Sequence, residues 1–484
     1  MNFRYVAKLL GQLLSGVSLT MLLPLAWSAY RGEWAIVRIF ADSILLGIIL
    51  GAALAFWGRR TKQEFFRREA LAVVSLGWIL AAAVGALPFF LSHRFPGGYI
   101  NCYFEAMSGF TTTGATVLSE IESVPEGLLL WRSFTQWLGG VGIVVLFVAV
   151  LPALGVEAKH LYRVEIPGVI KDGTRPRIRE SASLLWKIYL GFTVLECAFL
   201  MLGGMTFFDA LNHTFTTLAT GGFSTKNAGI AHFNSLAVEG VIVFFMLAVG
   251  VNFSLYASAV RGKIRQFWKE PEFRAYLAFL LGAVILLTLS LTAHRYYPSP
   301  ATSLRHSLFQ AVSIMTTTGY YTADFDQWPS FARILLILLM FVGGSAGSTA
   351  GSIKVVRIVA LAKMAWIELQ HFFFPRRVRT AKLGKSVLPE ESRHAVFGFF
   401  ILFVAVFIFG TVFMAGLGLD PITAASSVIA TLGNVGPGLG GVGAVQHYGH
   451  IPAPGKIFLS FCMVLGRLEI FTVLVLFLPE FWKK

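Results

Sequence analysis

SGFTTTGAT (Ser108 to Thr116), TTLATGGFST (Thr216 to Thr225), MTTTGYYTADF (Met315 to Phe325) and IATLGNVGPGLG (Ile429 to Gly440) decide how this chain reads. Each contains a threonine, any residue, then a glycine: Thr112-Thr113-Gly114, Thr220-Gly221-Gly222, Thr317-Thr318-Gly319 and Thr431-Leu432-Gly433. The four glycines are spaced at intervals of about 100 residues, so one unit is used four times. Four copies of a short segment can surround an axis, and that geometry suits a pore.

Composition sets the surroundings. The chain has 484 residues, 56% hydrophobic and only 13% charged, with a mean hydropathy of +0.70. Those values describe a membrane protein without a sizeable soluble domain. A net charge of +15 would suggest nucleic acid in a soluble protein. In a membrane protein, basic residues collect in cytoplasmic loops instead, so no nucleic-acid partner is expected. Cys102, Cys197 and Cys462 are far apart and suggest neither a disulfide framework nor a metal site. Arg4 and Lys8 precede an apolar run with a further span directly after it, which reads as a retained first helix.

Apolar stretches of spanning length fall near 8–29, 36–58, 70–92, 127–152, 183–205, 235–258, 274–294, 331–363, 394–416 and 456–479. The expected fold is an all-α polytopic membrane protein: two extra N-terminal helices, then four helix–pore-helix–helix repeats in pseudo-fourfold order around one pore. The boundaries are 1–69 for the helix pair, then 70–158, 159–262, 263–385 and 386–484 for the repeats. Charge orients the array. Arg59, Arg60, Lys62, Arg67 and Arg68 share one loop, and Lys159, Arg163, Lys171, Arg175, Arg177 and Arg179 the next on the same side. Arg261, Lys263, Arg265 and Lys269 follow, then Arg376, Arg377, Arg379, Lys382 and Lys385, then Lys483 and Lys484. If each helix crosses once, all lie on one side, and the positive-inside rule makes it the cytoplasm. Both termini are then cytoplasmic, and the threonine–glycine segments open outward.

Aligned on the glycines, the segments agree further. Thirteen residues earlier stand Asn101, Asp209, His306 and Asp420, three of them good helix caps. Asp420 precedes Pro421, a favoured first helical residue. Six residues before each glycine is a hydroxyl: Ser108, Thr216, Ser313 and Ser427. Glu105, His213 and Gln310 share one position and are expected to anchor the helices. A run of roughly ten residues gives a helix about 15 Å long, half of a hydrocarbon core about 30 Å thick. Each segment reads as a re-entrant half-helix followed by extended backbone.

The chemistry follows. Rings of backbone carbonyls can replace the water shell of a cation in a narrow pore. Glycine tolerates the unusual backbone this needs. Half-helices aim their partially negative C-terminal ends at the axis. Irregular backbone at membrane depth is allowed where it lines a water-filled path. One such triplet would equally serve close helix packing; four in matching places favour a pore.

On these segments the chain resembles the Trk/Ktr/HKT superfamily of potassium transporters, over essentially its whole length and with the extra helix pair of the Trk-type membrane subunits. The resemblance implies a single-chain filter with its glycines at Gly114, Gly222, Gly319 and Gly433. Potassium, the transported ligand, would be held mainly through backbone carbonyls of Thr112, Thr113, Thr220, Gly221, Thr317, Thr318, Thr431 and Leu432. A glycine at 114 rather than serine goes with potassium over sodium. Ala115, Phe223, Tyr320 and Asn434 follow the glycines, so the upper filter is irregular. The resemblance also implies a bacterial inner-membrane location, a homodimer and a cytosolic TrkA-type nucleotide-binding ring as partner. The basic loops could also meet anionic lipid. No organic cofactor is expected in this chain.

Two further features read as gates. GGSAGSTAGSIK (Gly343 to Lys354) interrupts a spanning stretch with Gly343, Gly344, Ser345, Gly347, Ser348 and Gly351. Each glycine costs a helix about 1 kcal/mol against alanine, so a broken helix is expected there. The tract does not match the phosphate-binding G-x-x-x-x-G-K-[ST] pattern. Arg467 stands about eleven residues into the last span, roughly 16 Å deep, where an arginine must face water or a partner. In the resembled family the loop and an arginine of this kind obstruct the pore beneath the filter; the alternative for Arg467 is a structural pair with a carboxylate of another helix. Asp324 and Asp326 could attract cations outside or be ordinary loop carboxylates. A sodium-permeable or ion-coupled symporter is the competing class, but its usual intramembrane carboxylates or inverted repeats are scarce: Glu105 and Glu469 are the few candidates. An enzyme needs clustered acid, base, nucleophile or metal ligands, and the spans hold none.

Overall fold

The computed structural model describes residues 1–59, 67–149, 175–374, 382–384 and 386–483. Arg60, Lys62, Lys159, Arg163, Lys171, Arg376, Arg377, Arg379, Lys385 and Lys484 lie outside the described residues, as does the expected boundary between 158 and 159. The first helix runs Phe3–Thr20 and continues through Met21 into Leu22–Tyr30; Trp34–Trp57 returns beside it. Small residues permit that contact: a Cβ on Gly11 would lie 2.3 Å from the Gly51 carbonyl oxygen.

Four units follow, each with an outer helix, a short pore helix and an inner helix. The outer helices are Arg67–Gly85 with Leu87–Leu91, then Arg175–Leu202, Pro271–Ala293 and Glu390–Gly416. The pore helices are Tyr99–Phe110, Phe207–Leu218, Pro300–Met315 and Pro421–Leu432. Three have 12 residues and the third has 16; at about 1.5 Å per residue none crosses the membrane. Most of their residues are buried, including Phe104, Phe309 and Val428, while Phe207, Leu304 and Ile422 near their starts are exposed.

The inner helices differ from the sequence expectation. Among the described residues, only the first, Glu126–Ala149, runs without a break. The second bends by 93° between Leu236–Val249 and Phe253–Val260, and the last by 119° after Arg467. Each stretch is long and apolar enough to read as a single span, so length and mean hydropathy do not show the turns. At the second break Asn252 accepts the Ser254 amide and caps the next helix. At the last, Glu469 takes a left-handed φ of 62°, and its carboxylate lies 2.5 Å from Arg357.

The expected caps also need correction. Asp420 does cap, accepting the amides of Ile422 and Thr423. Asn101 and Asp209 instead lie inside the first turn, behind Gly98 and Thr206, and His306 lies a further turn inward behind Ser299. Thr206 takes the cap because its hydroxyl accepts the Asp209 amide at 3.1 Å and donates to the Asp209 carboxylate at 2.9 Å. The termini meet on one side: the Asn2 amide donates to Glu69, and Arg68 donates to the Lys483 carbonyl.

Candidate ion pathway

The chain after each pore helix adopts one backbone signature. Thr112, Thr220, Thr317 and Asn434 have φ of 52°, 55°, 58° and 54°. Two residues on, Gly114, Gly222, Gly319 and Gly436 have φ of 84°, 73°, 78° and 101°. The residue between sends its amide back to the helix: Thr113 to the Ser108 carbonyl, Gly221 to Thr216, Thr318 to Ser313 and Val435 to Ala430, at 2.8–2.9 Å.

The fourth strand is therefore Asn434-Val435-Gly436, which corrects the sequence reading. Thr431 and Leu432 are the last turn of their pore helix, and Gly433 caps it with φ −81°. The sequence pattern lies three residues upstream of the structural one. Asparagine stands where the other strands have threonine, and asparagine tolerates the left-handed region. The hydroxyl column becomes Ser108, Thr216, Ser313 and the methyl of Ala430, while Ser427 joins Glu105, His213 and Gln310. Pro437, not Asn434, follows the fourth glycine.

These strands close a ring. A Cβ on Gly114 would fall 2.1 Å from the Gly221 carbonyl oxygen, and on Gly222 1.9 Å from that of Thr318. On Gly319 it would fall 1.9 Å from the Val435 oxygen, and on Gly436 2.5 Å from that of Thr113. Each glycine thus faces the carbonyl of the next strand, around all four. The same four glycines line one cavity of about 120 Å³, with Ala115, Phe223, Tyr320 and Pro437 along its wall.

The pore helices hold the outer strands by different chemistry in each repeat. Glu105 accepts from Arg132 Nε at 2.6 Å, the Thr116 hydroxyl at 2.9 Å and the Val117 amide at 2.8 Å. Arg132 also donates to the Ser224 carbonyl at 3.0 Å and lies 3.5 Å over the Phe223 ring. His213 pairs with the Ser224 hydroxyl at 3.0 Å. The Ser313 hydroxyl donates to the Tyr320 carbonyl at 2.6 Å, with the Gln310 amide at 3.4 Å. The Tyr320 hydroxyl crosses to the second repeat, donating to the His213 carbonyl and pairing with Thr216. Asp209 accepts from the Thr225 hydroxyl, and Asp326 accepts the Gly440 amide, joining third and fourth repeats. The Tyr448 hydroxyl donates to the Gly436 carbonyl at 2.7 Å, and Gln136 donates to that of Gly221 at 2.7 Å; neither these two residues nor Arg132 carries a motif that marks it in the sequence.

Beneath the ring, the third inner helix ends at Phe341 and resumes at Val355. The intervening loop reaches the strands directly. The Gly351 amide donates to the Thr317 hydroxyl at 2.7 Å, and the Thr220 hydroxyl donates to the Thr349 carbonyl at 3.0 Å. Arg467 Nη1 donates to that same carbonyl at 2.7 Å, and Nη2 to the Gly139 carbonyl at 2.9 Å. Among the described residues, no carboxylate forms an ion pair with Arg467. The loop also zips onto the second-repeat break: the Ser345 amide donates to the Gly250 carbonyl at 2.9 Å, and the Phe253 amide to the Gly347 carbonyl at 3.1 Å.

Fold and site together define a multi-pass α-helical membrane protein in which one chain supplies all four strands of a pore-like ring. The profile of the TrkH family, described as "Cation transport protein", matches residues 36–484. The chain is 41% identical to the Trk system potassium uptake protein TrkH of Salmonella typhimurium, with both chains covered completely. It is 32% identical to the Trk system potassium uptake protein TrkG of Escherichia coli, covering 100% of this chain and 99% of that one. The crystal structure of the potassium transporter TrkH from Vibrio parahaemolyticus superposes with a TM-score of 0.91, at 38% identity and full coverage of both chains. The chain belongs to the TrkH family.

Proposed function

We propose that this chain takes up potassium across the bacterial inner membrane, as the membrane subunit of a Trk-type system. The observation that carries the reading is the closed ring of four glycines, each facing a carbonyl of the neighbouring strand. Potassium sheds water at this ring, and the strand carbonyls take the water's place. Thr112, Thr113, Thr220, Gly221, Thr317 and Thr318 supply the first three strands; Asn434 and Val435 supply the fourth. The four pore helices end immediately before the ring, and their negative dipole ends favour a cation there. The Gly343–Lys354 loop and Arg467 form the gate below. Both termini face the cytoplasm, where the basic segments meet a TrkA-type nucleotide-binding ring and anionic lipid; two copies of the chain assemble as a homodimer. A bacterium lacking its own potassium uptake, supplied with this chain and its regulatory partner, should regain growth at low potassium. No rescue with the protein present in the membrane would contradict the reading.

The gate gives a further expectation. One carboxylate oxygen of Glu272 accepts the Ala346 amide at 2.7 Å and the Val356 amide at 3.3 Å, near both ends of the loop. Glu272→Ala removes this double tie and should raise potassium flux severalfold, whereas Glu272→Gln keeps an acceptor oxygen and should change it little. Flux into proteoliposomes at matched incorporation checks this; equal flux in wild type and Glu272→Ala would contradict it.

A further inference from the structure

The ring is not evenly held. In the second strand Gly221 occupies the position that Thr113, Thr318 and Val435 fill in the others. Glycine leaves space there, and Gln136 of the first inner helix fills it: a Cβ on Gly221 would lie 2.4 Å from the Gln136 carboxamide. Gln136 is fully buried. Its Nε2 donates to the Gly221 carbonyl at 2.7 Å, and its Oε1 accepts the Phe223 amide at 3.3 Å. The carboxamide thus clamps the strand on both sides of Gly222. The Gly221 carbonyl is also the one facing Gly114 across the ring. Among the described residues, the side-chain donors at the other strands reach the Tyr320 and Gly436 carbonyls instead, and none is seen on the corresponding carbonyls of Thr113, Thr318 or Val435.

Resting on the filter reading above, we propose that Gln136 is a specificity-determining positioning residue, which fixes the Gly221 carbonyl and weakens its pull on a cation. Discrimination between ions depends on the number, freedom and field strength of the ring carbonyls. A carbonyl already accepting an N–H offers a smaller ion less, and it cannot swing inward to close around that ion. Without the donor, the Gly221 oxygen is freed to follow the smaller sodium ion. The geometry of the other three strands is untouched, so the change appears in the ion preference.

The test compares potassium and sodium flux into proteoliposomes for wild type, Gln136→Met and Gln136→Leu. Met keeps the volume and removes both hydrogen bonds. Leu removes the same two bonds with a shorter, branched side chain. Loss of one hydrogen bond at the ring should lower the potassium-to-sodium flux ratio about fivefold in both. Thermal unfolding of each purified variant tells a misfolded protein from a folded one with altered preference, and either variant alone decides the matter. A folded variant with the wild-type ratio overturns the role of Gln136. A wild type that fails to distinguish the two ions overturns the filter reading itself, whatever the variants do.

Discussion

Arg467→Ala should conduct potassium at least about tenfold faster than wild type. Arg467 is 4% exposed, and its guanidinium is held only by carbonyls, those of Thr349 and Gly139. The Thr349 carbonyl also receives the Thr220 hydroxyl, so the charge sits one residue's reach from the second strand. With no carboxylate paired to it among the described residues, its positive field is uncancelled. At an effective dielectric of about 20, a unit charge about 5 Å away repels a cation by roughly 3 kcal/mol. Recovering even half of that gives about a tenfold gain. Arg467→Lys keeps the charge and should stay near wild type. Proteoliposome flux at matched incorporation is the measurement, and an Arg467→Ala rate equal to wild type would remove the barrier role.

Gly436→Ala should abolish flux, to below about a hundredth of wild type, while Gly433→Ala loses only part of it. Gly436 has φ 101°, where a left-handed conformation costs a substituted residue about 1–2 kcal/mol. Its added Cβ would lie 2.5 Å from the Thr113 carbonyl oxygen. That atom is backbone of the first strand, so the ring itself must deform. Gly433 has an ordinary φ of −81°; its Cβ would meet the Ile429 and Met340 backbone oxygens at 2.9 and 3.0 Å, a milder overlap than at Gly436 and one with atoms outside the ring. Ion flux through both variants discriminates the two registers of the fourth strand. The reverse order of damage would restore Thr431-Leu432-Gly433 as the filter.

That pair of glycines also shows what a sequence can conceal. The fourfold plan was legible because polar, small and glycine residues interrupt long apolar runs at a regular interval. The break at Gly343–Lys354 was legible for the same reason, as a cluster no helix carries cheaply. The fourth register was not, because Thr431-Leu432-Gly433 copies the residue types of the other strands while finishing a helix. What separates it from Asn434-Val435-Gly436 is backbone dihedral, which composition does not report. The bends after Val249 and Arg467 were hidden because each stretch passes as one span by length and mean hydropathy. The braces behind the ring were hidden because Glu105 meets Arg132, and Gln136 meets Gly221, across separations of 27 and 85 residues. Nothing local marks either pair.

The proposed four-strand carbonyl ring, built by one chain, should prefer potassium. Potassium and sodium flux into proteoliposomes containing this chain alone, wild type beside Gly436→Ala, tests it. Potassium should enter faster than sodium through wild type, and neither ion through the variant. Equal entry of both ions into wild type, or potassium entry that survives Gly436→Ala, would contradict it.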